Sequence, residues 1–192
     1  MNRATAGLLA LALAAGIAVA AGPANESAAS ATTAMTTAPY CGISWGSLPK
    51  QNSNTQAVGA LQGVRAGRHD CFDRLVFDLG GPSMSYRVQY VDQVLADPSG
   101  QPVALRGGAF LQIVFTALLY DENGSVGYQP PNRSEVVNVT GFQTFRQLAE
   151  AERFEGQITM GLGVRARLPF RVFTLDGPGT GSRLVIDVAH RW

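Results

Sequence analysis

The 192-residue sequence predicts an all-β chain, a β-sandwich of short strands with one short helix. Three observations predict it. Apolar and polar residues alternate through most of the chain beyond Tyr40, which is the two-residue period of a half-buried strand. Clusters of Gly, Pro, Asp, Asn and Ser punctuate these runs at turn spacing. One segment alone departs from the pattern, with helix formers and a three-residue apolar spacing.

The first strand signal is "RLVFDL", which sets Leu75, Phe77 and Leu79 on one face and Val76 and Asp78 on the other. In "SYRVQYVDQV", Tyr86, Val88 and Tyr90 oppose Arg87, Gln89 and Val91. The apolar run "FLQIVFTALLY", residues 110–120, reads as a central strand. In "FQTFRQLAEAERF", Leu148 follows Phe145 by three, and the spacing predicts a short helix over 144–153. "FEGQITMGLGVRARLPFRVFTLDG" reads as two strands broken near Leu168 and Pro169. "RLVIDVA" is the last strand, with Leu184, Ile186 and Val188 inward. Turns fall at Gly80-Gly81-Pro82, Asp97-Pro98-Ser99-Gly100, Asp121-Glu122-Asn123-Gly124 and Asp176-Gly177-Pro178-Gly179.

The strand "DRLVFDL" returns as "SRLVIDV" at the end of the chain. Registered antiparallel about Val76 and Val185, the copies set Arg74 opposite Asp187 and Asp78 opposite Arg183. Opposite charges across a ladder stabilise by a few tenths of a kcal/mol each and help fix register. The alternative puts the copies on equivalent strands of two stacked sheets. Either way the repeat reads as internal symmetry of the sandwich, with charges that hold register rather than perform chemistry.

The N-terminus has the layout of a secretory signal peptide over residues 1–20. Arg3 precedes an apolar stretch at 7–21, and Ala18-Val19-Ala20 fits a cleavage tripeptide. That stretch is shorter than the ~20 residues of a membrane span. An uncleaved anchor is the plainer alternative. No cysteine follows it closely enough for lipid attachment. Residues 21–39 are dominated by Ala, Ser and Thr and read as a flexible linker. The folded domain is then 40–192, a usual single-domain size.

The chain has 15 basic and 14 acidic residues, so losing Arg3 with a signal peptide leaves it neutral. A neutral domain lacks the electrostatic footprint of a nucleic-acid binder. Lys50 is the one lysine, and this Ala-, Gly-, Val- and Arg-rich composition fits a high-GC bacterial coding bias. Cys41 and Cys71 are the two cysteines, expected to pair in an exported chain. The four N-x-[ST] sequons, at Asn25, Asn123, Asn132 and Asn138, are what this Ser/Thr content produces by chance.

Five stretches in order carry a family resemblance: "GRHDCFDRLVFDLGGP", "YRVQYVDQV", "LRGGAFLQIVF", "FEGQITMGLGVRARLPFRVFTL" and "SRLVIDVAHRW". Through them the chain resembles the AMIN-like domain of secreted proteins and lipoproteins from actinobacteria, related to the AMIN domains of septal amidases and secretins. The resemblance implies a small β-sandwich of two similar halves and a non-catalytic, extracytoplasmic role. It implies binding of peptidoglycan or another cell-wall glycan, or of an envelope partner protein. No amidase or secretin domain is attached here, so a separate partner or a standalone envelope role must stand in its place.

Glycan binding needs aromatic faces and hydrogen-bond donors, and the anionic peptides of a cell wall suit the fork of arginine. Candidate ligand contacts are Arg165, Arg167, Arg171, Arg87, Tyr86 and Tyr90, with Tyr128, Trp45 and Trp192 as further aromatics. Arg165 and Arg167 alternate onto one face as a paired basic patch. The structural reading of the same residues is a packed Tyr86/Val88/Tyr90 face and solvated arginines. A small-ligand or lipid carrier is the alternative function, and an apolar cavity would mark it. For catalysis, only His69 and His190 offer imidazoles, and with Asp70 they supply a minimal metal set. No G-x-S-x-G, H-E-x-x-H or phosphate loop occurs. No catalytic residue, metal or cofactor is assigned.

Overall fold

The computed structural model describes residues 39–53, 59–82, 85–96, 98–121 and 123–192. The signal-peptide and linker expectations fall on residues outside these. Thr37–Trp192 is a compact unit in its own right. Its strands are β1 (Lys50–Asn52), β2 (Leu61–Arg68), β3 (Phe72–Leu79), β4 (Tyr86–Val91), β5 (Leu95–Ala96), β6 (Gln101–Pro102), β7 (Ala109–Thr116), β8 (Phe145–Phe154), β9 (Gln157–Val164), β10 (Phe170–Asp176) and β11 (Ser182–Ala189).

They form a five-stranded sheet in the order β1-β4-β7-β9-β8, a four-stranded sheet in the order β10-β11-β3-β2, and the small hairpin β5-β6. All pairings between these strands are antiparallel. The inward residues of both large sheets share one apolar core, so the fold is a β-sandwich as expected. Leu75, Phe77, Ile113, Met160, Leu184 and Ile186 are fully buried there. Phe77 of β3 meets Phe115 of β7 across the sheets, with ring centroids 4.8 Å apart. The long apolar run became β7, third of five strands, and the break near Leu168-Pro169 separates β9 from β10.

The repeated strands are β3 and β11, direct neighbours in one sheet. Val76 pairs with Val185, Arg74 with Asp187 and Asp78 with Arg183, the register read from the sequence. This rules out equivalent strands of two stacked sheets; the symmetry is a local two-fold between adjacent strands. Only one of the two charge pairs forms. Arg74 grips Asp187 in a two-pronged bond, at 2.7 and 2.9 Å. Asp78 instead accepts both prongs of Arg65 from β2, its neighbour on the other side, and Arg183 donates to the Asp176 carbonyl.

Residues 144–153 do not form a helix. Phe145–Phe154 instead form β8, at the edge of the five-stranded sheet, with Thr144 in the bend before it. A β-bulge between Phe145 and Gln147 explains the misleading spacing. The extra residue lets Phe145 and Leu148, three apart, both face inward opposite Val164 and Leu162. A bulged strand thereby imitates helical period, and pairing with β9 overrides the helix propensity of the Ala/Glu run.

The Asp73 carboxylate, on the inner face of β3, is fully buried. Its Oδ2 accepts the Thr144 and Phe145 amides at 2.5 and 3.1 Å, and its Oδ1 lies 3.2 Å from His190 Nε2. It therefore joins the four-stranded sheet to the start of β8. Cys41 and Cys71 are disulfide-bonded as expected, closing a separation of 30 residues.

Three stability outcomes follow. Asp73→Ala strands three buried donors and should cost about 3–5 kcal/mol in denaturant unfolding. Asp78→Ala, which breaks the largely exposed Arg65 pair, should cost at most ~1 kcal/mol. Reduction of the disulfide should lower stability by roughly 3–4 kcal/mol, the loop-closure value for this separation, read from the shift in urea midpoint.

Candidate functional site

The outward face of the five-stranded sheet is half covered. The β5–β6 hairpin and the chain after it cross over β9, with Val94 fully buried. Gly161 and Gly163 permit this approach. A Cβ on Gly161 would meet Leu105 at 2.7 Å, and one on Gly163 would meet the Arg106 carbonyl at 1.9 Å. Where the cover ends, a groove of about 430 Å³ opens over β1, β4 and β7. Ligand sites generally occupy ~300–1,000 Å³.

The groove floor follows from register. Gln51 of β1 pairs with Arg87 of β4, and Arg87 with Val114 of β7. In the next row Gln89 pairs with Gln112. Gln157, opposite Thr116, closes one end, and Tyr86, partly buried against the core beside Val88, also lines the groove. The lining combines amides and hydroxyls with Val114, Phe115 and Tyr86, and Arg87 is the one charge among the described lining residues. Arg87 is exposed, lines the groove and donates through Nε to Gln89 Oε1 at 3.1 Å. The Thr116 hydroxyl is buried without a hydrogen-bond partner. Burial pushes the Tyr86 phenol pKa up, so it remains a neutral donor.

Arg87 and Tyr86 are therefore brought together, and the other candidates lie elsewhere. Tyr90 turns inward: it donates to the Leu168 carbonyl at 2.7 Å, accepts the Leu168 amide, and meets Phe170 edge-on. Tyr128 packs against the core and donates to the Val136 carbonyl. Arg171 holds the buried Asp187 carboxylate from the side opposite Arg74, under Trp45. Arg165 and Arg167 fall in the bend after β9, not on a strand face. Arg165 donates to the His190 carbonyl, and Arg167 lies 4.7 Å over the Tyr90 ring. Trp192 is exposed.

The histidines have separate neighbours. His69 stacks on Phe72, and His190 sits between Asp73 and the Asp70 carbonyl. Among the described residues no group of three or more His, Cys, Asp or Glu is placed to hold a metal. The glutamines of the groove escaped sequence reading because they come from four strands. The available signal was polar Gln112 inside an otherwise apolar run, and Gln89 in step with Arg87.

The described residues thus form an antiparallel β-sandwich with a groove on the outer side of its larger sheet. The chain belongs to the AMIN-like domain family: the family model described as AMIN-like domain matches residues 59–190. No curated protein and no solved structure matches it. Domains of this family are generally non-catalytic binding modules associated with the cell envelope. The family and the disulfide fit an extracytoplasmic protein, and no helix among the described residues is long and apolar enough to cross a membrane.

The buried Tyr90 makes a pH prediction. Burial raises its pKa from 10.0 to about 12, against smaller lowering effects of the Leu168 bond and Arg167. The unfolded chain ionises first, so stability is full below pH 10 and falls as pH rises toward 12. Tyr90→Phe should remove this part of the alkaline loss and cost ~1–2 kcal/mol at neutral pH for the two lost bonds, read by urea unfolding across pH.

Proposed function

We propose that this chain is an exported, non-catalytic envelope protein whose groove binds peptidoglycan or a related cell-wall glycan. The observation that carries the reading is the chemistry of the groove lining. Side-chain amides present a donor and an acceptor side by side, the pattern that vicinal sugar hydroxyls complement. Arg87 adds a fork for a carboxylate, which wall glycans carry on their peptide stems. Tyr86 adds a phenol among the lining residues, a donor and acceptor for a further sugar hydroxyl. The family's envelope association supports the same ligand class.

The carrier alternative needs an apolar cavity between the sheets. The described interior is filled by Phe77, Leu111, Leu148 and Met160, all fully buried, and the groove, with amides and hydroxyls beside Val114, Phe115 and Tyr86, opens on the outer side of the sheet. The metal-enzyme alternative needs His69 and His190 to converge, and they have separate partners.

Co-sedimentation of Thr37–Trp192 with insoluble peptidoglycan tests the reading. The wild-type domain should be retained. Arg87→Ala should weaken retention about ten-fold or more, the loss of one charge-assisted bond. Gln112→Ala should weaken it roughly five-fold, with unfolding midpoints unchanged. No retention of the wild type, or equal retention of all three, would sink the glycan reading.

A further inference from the structure

A second surface lies at the edge where residues 47–50, the bend 165–167 and residues 190–192 meet. Hydrogen bonds stitch these segments together. Arg165 Nη2 donates to the His190 carbonyl at 2.6 Å, and Trp192 Nε1 donates to the Arg167 carbonyl at 3.2 Å. Arg167 Nη2 reaches the Ser47 carbonyl at 3.5 Å. Arg191 lies 4.6 Å over the ring of Tyr40.

Three features set this edge apart. Arg165, Arg167 and Arg191 are all exposed, and none makes an ion pair with a carboxylate among the described residues. Their bonds go to neutral carbonyls and rings, which leaves the charge uncompensated. Two large apolar side chains stand among them: Leu48 is 73% exposed and Trp192 69%. The indole N–H is tied to Arg167, so the ring holds one orientation with its apolar body in solvent. Finally, the chain enters the fold here, at Pro39 and Tyr40, downstream of the apolar stretch at 7–21.

Cations that neutralise phosphate, mixed with a tryptophan and an aliphatic side chain, match the boundary between lipid headgroups and acyl chains. A glycan would use the rings but gives no reason for an exposed leucine beside three unpaired guanidiniums. We propose that this edge docks on the surface of an anionic lipid bilayer, with Arg165, Arg167 and Arg191 taking headgroup phosphates and Trp192 and Leu48 entering the interface. The surface shares no residue with the glycan groove.

Flotation of Thr37–Trp192 with vesicles of phosphatidylcholine, with and without phosphatidylglycerol, tests it. Binding is expected only to the anionic vesicles and should fall as salt rises. The double variant Arg165→Gln with Arg167→Gln should bind roughly 25-fold more weakly, at about five-fold per cation. Arg87→Ala, a groove variant, should bind vesicles as the wild type does. Quenching of tryptophan emission by brominated acyl chains should be lost in Trp192→Phe. Absent binding at low salt, or equal binding of the double variant with its near-UV spectrum intact, would overturn the proposal. So would retention of the arginine-dependent contact on peptidoglycan alone.

Discussion

One buried carboxylate holds the sandwich together. Asp73 projects into the core side of β3, where an unpartnered charge would be costly, and two backbone amides of the facing sheet together with His190 satisfy it. Apolar packing between sheets is non-directional and leaves their relative position loosely specified. A carboxylate that must meet the Thr144 and Phe145 amides removes that freedom. It fixes where β8 begins, and hence where β9 and β7 lie across it. It also seats His190, whose carbonyl receives Arg165. Both outer surfaces inherit their geometry from this point.

Acidic residues elsewhere are used in the same way. Asp187 is clamped between Arg74 and Arg171, Asp78 holds Arg65, and Glu150 is shared by Arg133 and Arg153. Glu135 pairs with Arg106. In a nearly neutral chain, this grouping of carboxylates with structural arginines leaves other arginines unbalanced. Formal neutrality thus coexists with a locally cationic edge at the bend after β9 and a lone arginine in the groove. The Arg171 and Arg74 guanidiniums, stacked on Phe72 and Phe173, seal the outside of the four-stranded sheet.

Much of this fold was legible in the residues because it follows from local period. Alternation located β3, β4, β10 and β11, and the repeated "RLV" strands revealed their mutual register through charge. The helix expected at 144–153 failed because a bulge is invisible to periodicity: the added residue is defined only by the partner strand. The second charge pair failed because a strand has two neighbours, and sequence similarity spoke for only one of them. The groove was half legible. Arg87 and Tyr86 stood out by residue type, but the amides that surround them converge from distant strands through sheet order. Arg165 and Arg167 looked like one strand face, whereas the chain leaves β9 at Val164.

The order of strands in the four-stranded sheet bears on when the domain can form. β11, the last strand, lies in the interior between β10 and β3 and pairs along its full length with β3. Before it emerges from the ribosome, β3 and β2 are an isolated ribbon and β10 has no partner strand. Such long-range closure is slow to nucleate. The four-stranded sheet therefore closes only when β11 arrives, because β11 alone joins β10 to the β3–β2 ribbon.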